Sequence, residues 1–428
     1  MFFIYLLILL STIATLINGE FTCNNFPRSK KPGCLIMEQI LSEPSVTARP
    51  PIDGGGFPDA TPDRGELNCL SFDCVCPAFN GKSNGVNDCT LPTGNKLQKC
   101  VRKELRMLTE QERNNYFKVV KKMKENGDFE LCATLHRDTV LEHAGHFGPS
   151  FLPWHRELLK SFNTTNVCLP YWDSTLDGRL RSPKDSCLFT ESFLGGTNSN
   201  GQVINGPFSP WQTLENDQYL RRNVGRNGAC YPENDIIWQM QQTDIKNILA
   251  FTRPDSGCPY PVQFGYPEYG HNAVHNFVGG HMSDPRVAAN DPIFYNHHCF
   301  VDYLFEEWRK QRQTYAQRPI DYPPNDSRCS LRLHFRDTSM SQFTAYKNID
   351  GCKNEYTDNM FEYSPRPTCT VNNPDCGSEW LFCDLSHGTP KCAAKACLGG
   401  DCSGFTQGEQ VCHNSVCIDN VCVDDDYD

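Results

Sequence analysis

Seven of the twelve histidines in this sequence fall into two blocks, and they are the residues best suited to bind a metal ion. The blocks are His136, His143, His146 and His155, then His271, His275 and His298. His271 and His275 are four residues apart, so on a helix they project from one face and can share one ion. Such a pair is also found as two solvated or hydrogen-bonded histidines, so the neighbouring residues must decide between these readings.

Apolar neighbours favour metal binding. On a helix, His298 shares its face with Phe294 and Phe305. An unpaired imidazole is costly in such surroundings, and a place beside His271 and His275 would satisfy all three rings. The same reasoning applies to a second set of three, namely His136, His146 and His155. Two sets of three histidines predict two metal ions that face each other between helices.

The ligand type narrows the choice of metal. Imidazole ligation without thiolate or carboxylate suits copper, zinc, iron or nickel. Zinc hydrolases of the HExxH type need a glutamate after the first histidine as general base. Here that position is Asn272, which follows His271 and cannot accept a proton. We therefore expect a copper pair that activates oxygen rather than a hydrolytic zinc site.

Helix signals surround these histidines. Thr109 and Glu112 form a predicted capping box, and a second helix is predicted through FELCATLHRDTVLEH. A third is predicted to begin at Pro153, a fourth to run through HNAVHNFV and end at Gly279, and a fifth to start at Asn290-Asp291-Pro292. Strand-like stretches are few and short. The predicted fold is mainly α, with a central four-helix bundle.

The cysteines divide the 428 residues into three parts. Seven of the 24 lie between Cys23 and Cys100, eight between Cys132 and Cys352, and nine between Cys369 and Cys422. Dense cysteines predict disulfide-stapled ends and an oxidising compartment. We expect a signal peptide over 1–19, cysteine-rich segments over 20–102 and 366–428, and the dimetal domain over 103–365.

The N-terminal sequence MFFIYLLILLSTIATLINGE reads as a secretory signal. No later stretch has the roughly 20 apolar residues of a membrane helix, and Asn163 and Asn325 stand in glycosylation sequons. The net charge of −11 argues against nucleic acid or an anionic membrane as partner. These features predict a secreted, extracellular protein.

Longer motifs carry a family resemblance. HFGPSFLPWHR together with HNAVH, VGGHM and NDPIFYNHHCFVD resembles the copper-binding signatures of the tyrosinase, catechol oxidase and molluscan haemocyanin family. The likeness spans roughly Cys100 to Tyr363 and includes CVRKELRMLT, LPYWD and the aromatic-x-Tyr element that ends at Tyr363. The tail, with CGSEWLFCD and LGGDCSGF, is similar to the tails of secreted molluscan tyrosinases of the shell-forming mantle.

The resemblance implies an activity. Two copper ions with dioxygen as co-substrate would oxidise small phenols or catechols, or tyrosyl and DOPA residues of matrix proteins, to o-quinones. Melanin formation and the cross-linking of shell or cuticle matrix are the implied roles. An oxygen carrier like haemocyanin, or a matrix protein with a silent copper site, are the alternatives.

The resemblance also implies the ligands. His136, His146 and His155 would bind the first copper, and His271, His275 and His298 the second. His143 is the rival of His136, whereas His297 and His281 are expected to be structural. Some relatives link a cysteine to the second ligand, but Ala144 holds that place here. We therefore expect no thioether.

A second departure concerns monophenols. Tyrosinases with strong monophenol activity often pair the asparagine after the fourth ligand with an upstream glutamate that orients a water. Asn272 is present, but Val262 and Gln263 stand at the glutamate positions, and the spacing of Glu268 is wrong. Water-assisted deprotonation of a phenol is therefore in doubt.

Other residues leave alternatives open. Arg156 and Asp302 form either a buried ion pair or two separate surface charges. Phe294 either borders the opening of the site or belongs to the core. The C-terminal segment is either an inhibitory lid, with Phe405 as its plug, or an appendage that stabilises the protein or binds matrix.

Overall fold

The computed structural model describes residues 23–43, 68–160, 162 and 167–425. The predicted signal peptide over 1–19 and the sequon at Asn163 lie outside these residues, whereas Asn325 is described and exposed. Within them, no helix is both long enough and apolar enough to cross a bilayer.

Helices dominate the described part of the chain. They are α1 (Lys31–Ser42), α2 (Phe72–Val75), α3 (Glu110–Glu125), α4 (Asp128–Leu141), α5 (Phe151–Lys160), α6 (Glu233–Gln241), α7 (Pro267–Val278) and α8 (Ile293–Arg312). The strands are β1 (Lys82–Gly85), β2 (Asp88–Thr90), β3 (Cys100–Arg102), β4 (Ser339–Met340), β5 (Phe343–Lys347), β6 (Phe361–Tyr363), β7 (Leu381–Asp384), β8 (Lys391–Ala394), β9 (Val416–Ile418) and β10 (Val421–Val423). The mainly helical centre is confirmed, and its description as a four-helix bundle stays a prediction.

The strands form two-stranded ladders only, as far as the chain is described. Four ladders are antiparallel, namely β1–β2, β4–β5, β7–β8 and β9–β10. The parallel pair β3–β6 sets Cys100 opposite Phe361 and Arg102 opposite Tyr363. The two ends of the region with the family resemblance therefore meet at this ladder.

Local signals set the helix ends. Thr109 and Glu112 form the predicted capping box of α3, and Gly279, at φ 68°, follows the last residue of α7. The Asp291 carboxylate accepts a hydrogen bond from the Ile293 backbone N–H, 3.1 Å away, at the start of α8. The predicted start of α5 at Pro153 is wrong by two residues, because the helix begins at Phe151. A proline fits there since first-turn amides need no helical partner.

The core lies around α5 and α8. Every residue of α5 is buried, and α8 is buried along most of its length. The largest fully buried side chains include Trp154 on α5, Tyr295 and Trp308 on α8, and Trp172 from the LPYWD stretch. Burial on all sides fixes these two helices, and each carries one of the predicted metal ligands.

Disulfides staple both ends of the chain. The pairs in the described residues are Cys23–Cys34, Cys69–Cys74, Cys76–Cys89, Cys100–Cys168, Cys258–Cys329, Cys369–Cys383, Cys376–Cys392, Cys402–Cys417 and Cys412–Cys422. The last four join the cysteine-rich C-terminal segment, whose apolar side chains pack with Leu176 and Leu180.

Candidate metal centre

Three buried histidines form the first cluster, which we call cluster A: His136, His146 and His155. His136 lies on α4 and His155 on α5, and His146 lies in the turn between these helices. The Nε2 atoms of His136 and His146 are 3.3 Å apart. One potential ligand atom from each residue lies within 4.8 Å of the other two.

Cluster B is the second set of three: His271, His275 and His298. His271 and His275 project from one face of α7, and His298 comes from α8. The His298 Nε2 is 2.9 Å from the His271 Nε2 and 3.2 Å from the His275 Nε2. All three rings are buried.

The two clusters face each other across α5 and α8. The rings of His155 and His298 stack with centroids 4.2 Å apart and planes 14° apart. Phe294 is fully buried below them, with its centroid 4.6 Å from that of His136 and 4.1 Å from that of His298. Phe294 therefore belongs to the core and does not border an opening.

Burial keeps these imidazoles neutral. Desolvation lowers the pKa of His155 to about 3 and that of His275 to about 4. It lowers the pKa of the other four well below the usual value. Neutral imidazole is the form that binds metals, so the rings need not lose a proton first.

Backbone carbonyls orient several rings. The Nδ1–H of His155 donates to the Phe151 carbonyl at 2.8 Å, and that of His275 donates to the Met282 carbonyl at 2.7 Å. These bonds assign the proton to Nδ1 and direct the Nε2 lone pair into the cluster. Such partners typically position metal-binding histidines.

The arrangement fits a bound cation. In cluster B the His298 Nε2 meets two other imidazole nitrogens, and one neutral nitrogen cannot hydrogen-bond with both. The buried His155 Nε2 has no hydrogen-bond partner among the described residues. Nitrogens that each lie about 2.0 Å from one tetrahedral ion would be separated by about 3.3 Å, close to the spacings within both clusters.

The other histidines named from the sequence lie outside both clusters. His143 has a left-handed φ of 58° beyond the end of α4 and hydrogen-bonds the Ile40 backbone. The His297 Nε2 lies 3.1 Å from the His271 carbonyl oxygen. His281 accepts the Arg221 backbone N–H and lies 3.0 Å from Asp217. The structure thus groups His136 with His146 and His155.

Arg156 and Asp302 form a buried ion pair between α5 and α8. The Arg156 Nε donates to Asp302 at 2.6 Å, and both side chains are almost fully buried. The Glu306 carboxylate lies 3.0 Å from the same guanidinium. Since His155 precedes Arg156 on α5 and His298 lies one turn before Asp302 on α8, this pair fixes the clusters relative to each other.

Glu268 has a structural role that the sequence did not reveal. Its carboxylate is buried and accepts hydrogen bonds from the Phe147 backbone N–H at 2.6 Å and from the Thr252 hydroxyl. Burial raises its pKa to about 7. Phe147 has a left-handed φ of 71°, which is unusual for a bulky residue. Glu268 therefore holds the turn that carries His146 against α7.

A cavity of about 20 Å³ lies beside both clusters. It is lined by Gly33, Ile36, Met37, His136, His146, Phe147, His271, Asn272, His275, Asn276, Met282, Ser283 and Pro285. None of these described lining residues carries a carboxylate. The Asn272 amide donates to the Met37 sulfur at 3.2 Å, so the N-terminal helix α1 closes the cavity.

The expected C-terminal plug is wrong for the described residues. Phe405 packs against Phe382 and His387, with both ring centroids 5.0 Å away, and does not line the cavity. The C-terminal segment instead covers Leu176 and Leu180. Sequence reasoning missed α1, although the cluster of apolar residues at Leu35, Ile36 and Met37 was a visible signal.

Known proteins resemble this chain. A family model described as the common central domain of tyrosinase matches residues 113–311. A tyrosinase-like protein of Caenorhabditis elegans is 44% identical over 353 residues, covering 81% of this chain and 50% of that protein. A tyrosinase-like protein of Pinctada maxima is 34% identical and covers 63% of this chain and 62% of that protein. Molluscan relatives therefore exist, at lower identity than the nematode one.

The tyrosinase of Streptomyces antibioticus is 30% identical over 246 residues, which cover 53% of this chain and 88% of that enzyme. A mushroom tyrosinase structure matches with a TM-score of 0.45 at 16% identity, covering 62% of this chain and 90% of that one. The chain spans only half to three fifths of the nematode and pearl-oyster relatives. By its match to nearly the whole bacterial enzyme, the chain belongs to the tyrosinase family of type-3 copper proteins, which bind two copper ions and use dioxygen.

Proposed function

We propose that this chain is a secreted dinuclear copper oxidase that converts phenols, above all o-diphenols, to o-quinones. One observation carries the proposal: two complete sets of three buried, neutral histidines face each other, with His155 and His298 stacked at 4.2 Å. We assign His136, His146 and His155 to the first copper and His271, His275 and His298 to the second. Completeness of both sets counts against a silent site.

The side chains have separate tasks in this proposal. Copper ions held by the six imidazoles would supply dioxygen activation and two-electron oxidation. The carbonyls of Phe151 and Met282 keep His155 and His275 aimed inward. Phe294 and Phe151 exclude water from the rings, since both are buried against them. Asn272 lies at the cavity, where its amide can hydrogen-bond a phenolic oxygen.

The lining favours diphenols over monophenols. An o-diphenol only has to lose two electrons and two protons, so two catechols and one dioxygen give two quinones and two waters. A monophenol must also be deprotonated and gain an oxygen atom. No carboxylate lines the described cavity, and the Asn272 amide cannot act as a base.

Secretion is supported by the nine disulfides of the described residues, since disulfides persist in oxidising compartments. Outside the cell, small phenols and the tyrosyl or DOPA side chains of matrix proteins are the substrates we propose. Their quinones would feed pigment formation or the cross-linking of matrix.

An oxygen carrier is the second candidate. The cavity of about 20 Å³ is large enough for a molecule of the size of dioxygen or water and too small for an aromatic ring. A carrier needs no more space than that. It would bind dioxygen reversibly and oxidise neither a monophenol nor a catechol.

The test compares copper content and oxygen uptake in matched variants. We expect about two copper ions per chain and faster uptake with 4-methylcatechol than with 4-methylphenol. His155→Ala should lower turnover roughly 100-fold or more, because one ligand is lost. His387→Ala, a control on the C-terminal segment, should leave it unchanged. Met37→Ala, which widens the cavity, is measured in parallel. Reversible oxygenation without turnover of catechol in either the wild type or Met37→Ala would contradict the proposal and favour the carrier.

A further inference from the structure

We propose that α1 is an inhibitory plug, which occupies the place where an aromatic substrate must lie beside Asn272 and the two histidine clusters. This inference rests on the proposed function and concerns the regulation of the same site. It assigns the chain a latent state, in which copper can be bound while phenols are excluded. The active state would be reached by movement of α1 away from α7.

Close packing between α1 and α7 carries the proposal. A Cβ added to Gly33 on α1 would lie 2.8 Å from the Asn272 Cβ and 3.3 Å from the Asn276 amide nitrogen. Only glycine allows the two helices to approach so closely. One turn later, Met37 is 2% exposed and accepts a hydrogen bond from the Asn272 amide through its sulfur. The amide that should meet substrate is therefore already engaged.

The remaining space is too small for a substrate. The cavity between α1 and the clusters measures about 20 Å³. A water needs about 10–15 Å³ by a comparable measure, whereas a protein cavity that binds benzene is on the order of 150 Å³. A phenol could reach the histidines only if Met37 and its neighbours moved.

Anchors at both ends hold α1 in place. At its start, the buried Lys30 ammonium bonds the Asp235 carboxylate and the Phe264 carbonyl. Phe26 packs edge-on against Tyr269 of α7 with ring centroids 4.9 Å apart. At its end, Glu43 pairs with Arg286 at 3.2 Å. The disulfide Cys23–Cys34 ties the preceding turn to the helix.

The plug can move without dismantling the metal centre. None of the six histidines lies on α1, and its buried residues follow one face: Gly33, Cys34, Met37 and Ile40. Leu35 faces away and is 47% exposed. The helices that carry the ligands are instead held by the α5–α8 core and the Arg156–Asp302 pair. Displacing α1 therefore costs its own contacts and leaves both clusters in place.

Two variants with opposite physical action test the plug. Met37→Ala removes the side chain that blocks the cavity. Gly33→Ala forces α1 away from α7, because its Cβ cannot lie 2.8 Å from that of Asn272. Leu35→Ala, on the exposed face of the same helix, is the matched control. Glu43→Gln releases the exposed C-terminal anchor and serves if a core variant loses copper.

Each variant is loaded with copper and its copper content is measured. Binding of benzoate, an aromatic that cannot be oxidised at this site, is measured by calorimetry, and oxygen uptake is measured with 4-methylcatechol. We expect benzoate affinity and kcat/KM to rise roughly tenfold or more in Met37→Ala and Gly33→Ala, because a closed state lowers apparent affinity by the fraction that is open. Leu35→Ala should match the wild type.

The outcomes separate the plug from the oxidase. If the wild type binds benzoate and oxidises catechol as well as both variants do, the plug is wrong. If the variants gain benzoate affinity yet oxidise nothing, the plug stands and the oxidase function fails. If Leu35→Ala gains as much as Met37→Ala, the effect is general loosening of α1 and the assignment to the blocking face is overturned.

Discussion

His334 links the turn of cluster A to the pH dependence of stability. Its buried ring contacts the Ser150 hydroxyl through Nδ1 at 2.6 Å, and burial lowers its pKa to about 4. The unfolded chain takes up a proton at this side chain below pH 6.5, but the folded chain does not do so until about pH 4. The free energy of unfolding therefore falls as the pH drops through this window.

The expected contribution is about 3 kcal/mol between pH 7 and pH 4, which follows from about 1.4 kcal/mol per pKa unit. His334→Asn keeps a polar atom near Ser150 and cannot titrate. Urea unfolding of both proteins at several pH values isolates the slope due to His334, since the other histidines are common to both. Parallel pH profiles in the two proteins would count against a neutral, buried His334.

At the residue scale, the sequence identified the ligands by type and surroundings. Apolar neighbours and helical spacing predicted His155, His271, His275 and His298, and the structure brings each into a cluster. His136 and His143 could not be separated by spacing alone. Their difference depends on the left-handed φ of His143 after α4 ends, which no single residue type at that position announces.

At the element scale, the Arg156–Asp302 pair joins α5 to α8. Asp302→Asn should destabilise the protein by about 3–5 kcal/mol, because it removes the negative charge closest to a buried guanidinium. Copper retention should fall with it, since the pair sets the distance between the clusters. Thermal and urea unfolding measure the loss.

Glu307→Gln on the same helix is the control for that change. Its partner Lys310 lies 3.1 Å away, and both side chains are at the surface. Exposed pairs contribute about 0–1 kcal/mol, so this variant should unfold almost as the wild type does. Equal effects of the two substitutions would show that burial does not set the strength of the Arg156–Asp302 pair.

Helix signals in the sequence worked where they were local. The capping box at Thr109 and the glycine stop at Gly279 fixed one end each of α3 and α7. The start of α5 was misplaced because first-turn positions are similarly tolerant of proline, and Phe151 carries no capping signal. Helix α1 was missed because its Pro32 and Gly33 indicate a turn when taken alone, and its partner α7 is over 200 residues away.

At the scale of the whole molecule, the C-terminal segment stabilises and does not inhibit. Trp380 packs on Phe193 with centroids 4.7 Å apart, and Asp384 pairs with Arg179. Ending the chain after Pro367 would expose Leu176 and Leu180, each worth about 1.5–3 kcal/mol when buried. We expect the Tm to fall by at least about 5 °C, with no gain in catechol oxidation.

Phe405→Ala in the full chain is the companion measurement. It trims the side chain once expected to plug the site and exposes no part of the central core. Its KM for catechol should equal that of the wild type. A truncated chain with unchanged Tm and higher activity would restore the C-terminal lid and contradict the placement of Phe405 against Phe382.

Cysteine density predicted stapled ends, and the described residues contain nine disulfides, but their pairing depends on contacts that spacing does not encode. Cys100 and Cys168, for instance, join positions 68 residues apart. The two histidine clusters were predictable for the opposite reason. Each combines near neighbours in sequence with one long-range partner whose apolar face leaves few other places for it.

Copper-edge anomalous diffraction from crystals of the copper-loaded chain tests the central claim most directly. We expect two copper peaks per chain, one within bonding distance of the Nε2 atoms of His136, His146 and His155 and the other of His271, His275 and His298. A single peak, or a peak ligated by His143 or His297 in place of a cluster member, would contradict the dinuclear centre.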